Sequence, residues 1–166
     1  MIQRIQSVFL LLLALAMVAM LFLPLWSKTD ATTHETVVLT AWNLKSHFLN
    51  EQGDIASVGN LPNKGTFAIA MLAIAAAVVA LYEIFQYKNR LNQMKLGLFN
   101  TLIIAALLGT SFYYAAYVGA DMVMASDNGA YEAGFYLPML ALLLNALANR
   151  FIKRDEDLVR SVDRLR

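Results

Sequence analysis

Residues 66–85 read TFAIAMLAIAAAVVALYEIF. No residue between Lys64 and Glu83 carries a charge, and the apolar character continues to Tyr87. Crossing the hydrocarbon core of a bilayer takes about 20 mainly apolar helical residues, within a range of about 17–25. The stretch therefore reads as a membrane span over residues 65–87. Ala73, Ala76, Ala77 and Ala80 recur at i, i+3, i+4 and i+7, which leaves one helical face nearly flat. Lipid tails are as apolar as leucine, so helices in a membrane associate through close backbone contact at small residues. This face is expected to pack within one bundle rather than against a second copy of the chain.

Three further charge-free runs flank the first. Residues 5–27 lie between Arg4 and Lys28, 96–120 between Lys95 and Asp121, and 133–149 between Glu132 and Arg150. Each is long enough to span, the last being the shortest, with Pro138 near its start. The first run exceeds the roughly 7–15 apolar residues of a secretory signal core. The following LPLWSKTDA offers no small-x-small cleavage site, so the run reads as an uncleaved span. Ala105 with Gly109 and Ala115 with Gly119 supply small pairs four apart in the third span. The expected fold class is an all-α membrane protein. A four-helix transmembrane domain over residues 1–150 carries a small β-containing first outer loop at 28–64, and residues 151–166 form a charged cytoplasmic helix.

Composition agrees with that reading. The chain is 59% hydrophobic and 15% charged, against about 45–50% and about 25% in soluble domains. A net charge of +1 gives no basic surface for nucleic acid. Cysteine is absent, which excludes disulfides, thiolate metal sites and a cysteine nucleophile. Orientation follows from Lys and Arg. Arg4, Lys88, Arg90, Lys95 and the six basic residues from Arg150 onward fall on one side, leaving Lys28, Lys45 and Lys64 on the other. Ten against three places both termini in the cytoplasm.

In the outer loop, ETVVLTAW at 35–42 reads as a strand, NEQGD at 50–54 as a turn and IASVG at 55–59 as a short second strand. An isolated hairpin is marginally stable, so this one is expected to lie on the outer ends of the helices. His34 and His47 stand alone, which gives no metal site, and no cofactor is expected. No Ser/His/Asp order, glycine-rich phosphate loop or paired carboxylates point to an enzyme. Trp26, Tyr113, Tyr114, Tyr117, Tyr131 and Tyr136 gather near the outer helix ends, as an interfacial aromatic belt does.

The polar residues of the spans fall in one layer towards the cytoplasmic side: Gln3, Arg4 and Gln6, then Glu83, Asn100, Asn145 and Asn149. Within the four runs Glu83 is the one residue among Asp, Glu, Lys, Arg and His. A carboxylate inside a span marks a functional site by default. Near a helix end, however, it reaches the headgroups, and Arg4, Arg90 or Arg150 can pair with it.

The chain closes on LANRFIKRDEDLVRSVDRLR at 147–166 and opens on MIQRIQS. Phe151, Leu158, Val162 and Leu165 share one helical stripe, and Lys153, Asp157, Arg160 and Arg164 another. Four acids interspersed with the bases remove most of a polybasic tail's attraction to anionic lipid. These two terminal stretches resemble the bacterial family known as domain of unknown function 4293. That resemblance implies a four-span protein of the bacterial inner membrane and no known activity. It also implies signature positions at Gln3, Arg4, Asp155, Leu158, Val159, Arg160, Ser161, Asp163 and Arg164. The overall plan looks like animal tetraspan junction proteins too, without their outer-loop tryptophan and cysteine signature. The expected function is a non-enzymatic scaffold, accessory subunit or assembly factor. It would sit in the lipid bilayer and dock a membrane or cytoplasmic protein through residues 150–166 and the outer loop. The alternative is a small transporter or ion-coupled protein using Glu83, Asn100, Asn145 and Asn149.

Overall fold

The computed structural model describes residues 2–30, 34–49, 55–59, 62–87, 89–122 and 129–163. Within these, the side chains at 2–4, 49, 56, 58 and 160–163 are not described. The turn expected at 50–54 lies outside this set.

Four helices form a closed ring in which each packs on two neighbours. They are α1 (Ile2–Met20), α2 (Phe67–Phe85), α3 (Arg90–Tyr113) and α4 (Ala133–Asp163). α1 contacts α2 and α4, and α3 contacts the other faces of the same two, the α1–α4 contact being the most extensive. The chain runs up and down through the ring, so neighbours are antiparallel. α2, α3 with its continuation to Met122, and α4 to Val159 are long and apolar enough to cross a membrane, which marks the chain as a membrane protein. α1 offers a shorter apolar stretch, Ile5–Met20. The outer surface of the ring is greasy: Val8, Leu15, Met71, Val78, Leu98, Leu102 and Leu143 are all exposed. A patch of that extent is foreign to a soluble monomer.

The first span ends earlier than its charge-free run implies. Helix geometry stops at Met20, where Leu21 N–H and Phe22 N–H close tight turns on the Val18 and Ala19 carbonyls. Pro24 follows, and a proline cannot continue a helix. Leu25 N–H instead donates to Leu39 O at 2.8 Å, and Trp26–Thr29 becomes strand β1. Residues 21–27, expected in the membrane helix, belong to the sheet end. The fourth helix departs the other way, running unbroken from Ala133 to Asp163, with Pro138 in its second turn and no break at Arg150. Pro138 is the sixth residue of the helix, so it forgoes one intrahelical bond, to Gly134 O, without ending the helix.

The sheet is larger than expected. Strands β2 (Glu35–Leu39), β3 (Asn43–Leu49), β4 (Ile55–Val58), β5 (Lys64–Gly65) and β6 (Ala130–Tyr131) join β1 in an antiparallel sheet of order β4-β3-β2-β1-β6, with β5 paired to β3. The segment 35–42 turns back at Thr40–Trp42 rather than continuing. Thr40 makes the turn: its hydroxyl donates to Asn43 O and accepts from Asn43 N–H. Strand β3, NLKSHFL, went unforeseen because its lysine, asparagine and histidine dilute the strand signal. Its register with β2, Val37 opposite Ser46 and Leu39 opposite Leu44, puts Leu44 on the buried face.

The core runs from this sheet down the ring. Leu25, Trp26, Val37, Leu39 and Leu44 meet Leu13, Met17, Met20, Ile69, Ile104 and Leu107. Ala70, Ala73, Ala76, Ala77 and Ala80 are buried, so the flat face of α2 packs inside the bundle as its spacing predicts. Ala115 and Gly119 are buried too. Ala105 and Gly109 are exposed, and a Cβ added at Gly109 would meet nothing within 4 Å, so this pair does not pack in the ring. Trp26 is 1% exposed, lying under the end of α3 instead of in the interfacial belt. Tyr113, Tyr117, Tyr131 and Tyr136 do face outward. Gly129 has φ +75°, and a Cβ there would meet the Trp26 ring at 2.5 Å, so both backbone and indole require glycine.

Filling the alanine face tests this packing. Ala76→Leu should destabilise the folded protein in detergent by about 1–3 kcal/mol, the usual cost of overpacking. Val78→Leu, on the exposed face of the same helix, should stay within about 0.5 kcal/mol of the parent in the same unfolding titration.

Candidate functional site

The polar layer lies inside the ring, towards the end away from the sheet. Helices α3 and α4 are joined there by a polar knot. Asn145 Nδ2–H donates to Gly97 O at 2.8 Å and to Thr101 Oγ1 at 2.9 Å. The Thr101 hydroxyl spends its own proton on Gly97 O, 2.9 Å away. Both neighbours of the Asn145 amide nitrogen are therefore acceptors, which fixes the orientation of that amide. Its Oδ1 points elsewhere, buried and without a partner among the described residues. Asn149 sits one turn on, and a Cβ at Gly97 would collide with its Oδ1, so glycine makes room for this side chain. Asn149 Oδ1 is likewise buried and without a partner among the described residues.

Glu83 is 0% exposed, and neither of its carboxylate oxygens has a partner among the described residues. The expected rescue by headgroups is not open to a side chain so enclosed. Pairing with Arg90 is also not what the structure shows. Arg90 Nη2 lies 3.0 Å from Asp155 Oδ2, and its Nη1–H donates to Asp155 O at 3.1 Å with Glu156 Oε2 at 4.0 Å. Arg150 is exposed, and the side chains of Gln3 and Arg4 lie outside the described set. Asn100 is fully buried with both amide atoms unpartnered, and Gln6 is buried with Nε2 unpartnered, again among the described residues.

Of the tail positions, Asp155 is thus bound within the chain. Phe151 stacks on Phe9 of α1, with centroids 5.7 Å apart, and Ile152 is buried. Leu158 and Val159 are 49% and 43% exposed. The side chains of Arg160, Ser161 and Asp163, and the whole of Arg164, lie outside the described residues.

The helices at the two ends of the chain, α1 and α4, thus help enclose a bundle whose interior is polar at one end. The chain belongs to the family described as domain of unknown function DUF4293. The match extends over residues 2–165. No curated protein matches the chain. In this family member, three participants escaped the reading of the sequence: Gln93, Gly97 and Thr101. They recur at i, i+4 and i+8 along α3, opposite Asn145 and Asn149 at i and i+4 on α4. Paired polar stripes at helical spacing were the available signal. Among the described residues, no three His, Cys, Asp or Glu side chains cluster to hold a metal.

The knot is open to measurement. A double-mutant cycle of Asn145→Ala with Thr101→Ala should give a coupling of about 0.6 kcal/mol, the average for hydrogen bonds between membrane helices. Strictly additive unfolding energies would mean that the two groups do not interact.

Proposed function

We propose that this is a four-span, non-enzymatic protein of the bacterial inner membrane, with both termini in the cytoplasm. It links a partner on one side of the membrane to a partner on the other. The observation that carries the reading is the continuity of α4. A helix of 31 residues is about 46 Å long, against a hydrocarbon core of about 30 Å. Its start is fastened to the sheet: Glu132 N–H donates to Leu25 O, Gly134 N–H to Pro24 O, and Ser27 Oγ–H to the Glu132 carboxylate. Its far end emerges beyond the Arg90–Asp155 clamp, where Leu158 and Val159 are exposed. One rigid strut thus joins the sheet to an amphipathic helical stub. α1 packs antiparallel between α2 and α4, so it shares their bilayer depth despite its shorter apolar stretch. The ten-to-three bias of Lys and Arg supports the orientation.

The stub can be altered without touching the clamp. The double variant Leu158→Glu, Val159→Glu should insert normally and lose the partners that crosslink to the parent's tail in intact cells. Exchanging Asp163 with Arg164, which preserves net charge, should have the same effect. Retention of every crosslinked partner in both variants sinks the docking role. A reporter after Arg166 should read as cytoplasmic and one inserted at Asn50 as external.

A further inference from the structure

Between the end of α2 and the start of α3 lies a cleft of about 230 Å³. Tyr82 and Gln86 line it from α2, one turn apart, and Asn92, Lys95 and Leu96 line it from one face of α3. A water molecule's share of the liquid is about 30 Å³, so the cleft takes a group several times larger. Its polar side chains are available to such a group. Gln86 Nε2–H donates to the Tyr82 hydroxyl at 2.7 Å, so the phenol keeps its own proton for an acceptor. Asn92 and Lys95 are exposed, and among the described residues the Lys95 ammonium has no carboxylate partner. No described acid lines the cleft. Glu83, on the same turn of α2, is enclosed by the ring, and Asp155 and Glu156 are held at Arg90.

Depth and surroundings select the ligand. The 19 residues of α2 rise about 28 Å, close to the hydrocarbon thickness of about 30 Å. The last turn of α2 therefore stands at the headgroup layer, where tyrosine rings gather and lysine stems reach out of the hydrocarbon. One turn deeper, Val78 on α2 and Leu98 and Phe99 on α3 are exposed apolar side chains. The cleft thus offers charge and donors at headgroup depth, with an apolar wall beneath them. One ammonium balances the single charge of a phosphodiester. With no carboxylate in the cleft, nothing there pairs with the ammonium of a zwitterionic headgroup. An interfacial belt accounts for Tyr82 and Lys95 one at a time, but not for their opening onto one space with Gln86 and Asn92.

We infer that Tyr82, Gln86, Asn92 and Lys95 form a binding site for the phosphate of an anionic phospholipid, whose acyl chains lie against Val78, Leu98 and Phe99. The site rests on the span of α2 and is independent of partner docking at the tail. In the orientation proposed above, the lipid belongs to the cytoplasmic leaflet.

The test is thermal unfolding of the full-length protein in detergent micelles doped with phosphatidylglycerol or phosphatidylethanolamine, or given inorganic phosphate in place of lipid. The melting temperature should rise saturably with phosphatidylglycerol, rise less with phosphatidylethanolamine and stay unchanged with inorganic phosphate. Lys95→Gln should weaken the apparent affinity for phosphatidylglycerol about tenfold, the order expected for a hydrogen bond to a charged group. Lys153→Gln, which removes the same charge from an exposed lysine outside the cleft, should bind as the parent does. Should Lys95→Gln fail to fold, Asn92→Ala and Tyr82→Phe carry the same comparison, with losses of roughly threefold or more. A parent indifferent to phosphatidylglycerol overturns the site, as does an affinity unchanged in the cleft variants. Equal losses in Lys95→Gln and Lys153→Gln would reduce it to diffuse charge attraction. An equal rise with phosphatidylethanolamine overturns the anionic headgroup, and a rise with inorganic phosphate overturns the lipid.

Discussion

The junction at residues 24–26 is the point on which the sheet end depends. Pro24 stops α1, and the two residues after it serve three structures at once. Leu25 pairs through its N–H with β2 and through its carbonyl with the start of α4. Trp26 fills the space beneath the end of α3 and against Gly129. Backbone groups past the helix end are taken up by neighbours: Leu21 O accepts from the Trp42 indole and Pro24 O from Gly134 N–H. A longer first helix would have carried Leu25 and Trp26 away from these partners and left the sheet without a floor. Lys28 completes the seal: it is buried, and its ammonium donates to Ala120 O at the C-terminal end of the α3 rod, where the helix dipole favours a cation.

The opposite end is organised by charge and amide groups rather than by apolar packing. Arg90 caps the bundle by holding Asp155 and Glu156, so α4 continues as one helix where the sequence turns from apolar to charged. Above that clamp, the knot of Asn145, Gly97 and Thr101 sets the register of α3 against α4. Ala-rich contact between α1, α2 and their neighbours tolerates sliding, because one small residue resembles the next. Directional hydrogen bonds do not. Polar groups therefore supply positional specificity where the flat face of α2 supplies proximity.

Sheet and strut together explain how so apolar a chain holds structured elements beyond both ends of its bundle. The sheet is roofed onto the helices through Trp42, whose indole N–H donates to Leu21 O, and through Thr66, whose hydroxyl donates to Thr40 O. Those two contacts fasten the hairpin turn at 40–42 to the end of α1 and the start of α2. A sheet of short strands with so small a core of its own gains its stability from this anchorage.

The long apolar runs and their periodicity determined the helical character of the chain, its affinity for lipid and the burial of Ala73, Ala76, Ala77 and Ala80, because these follow from local composition and from the 3.6-residue repeat. The presence of Glu83, Asn100, Asn145 and Asn149 within the apolar runs was also legible, but not that Glu83, Asn100 and Asn145 are fully enclosed by the bundle. Local sequence carries no record of which partner a group meets across the bundle. Hence Arg90 went to Asp155 and not to Glu83, Ala105 and Gly109 turned outward, and a charge-free stretch ending at 27 yielded a helix only to Met20. Strand β3 was hidden for the same reason: its membership of the sheet rests on pairing with β2, β4 and β5, hydrogen bonds between separate segments of the chain. Propensity acts within a few residues, whereas helix ends, ion pairs and strand register are decided by the neighbour that arrives from elsewhere. Only the tertiary structure contains that neighbour.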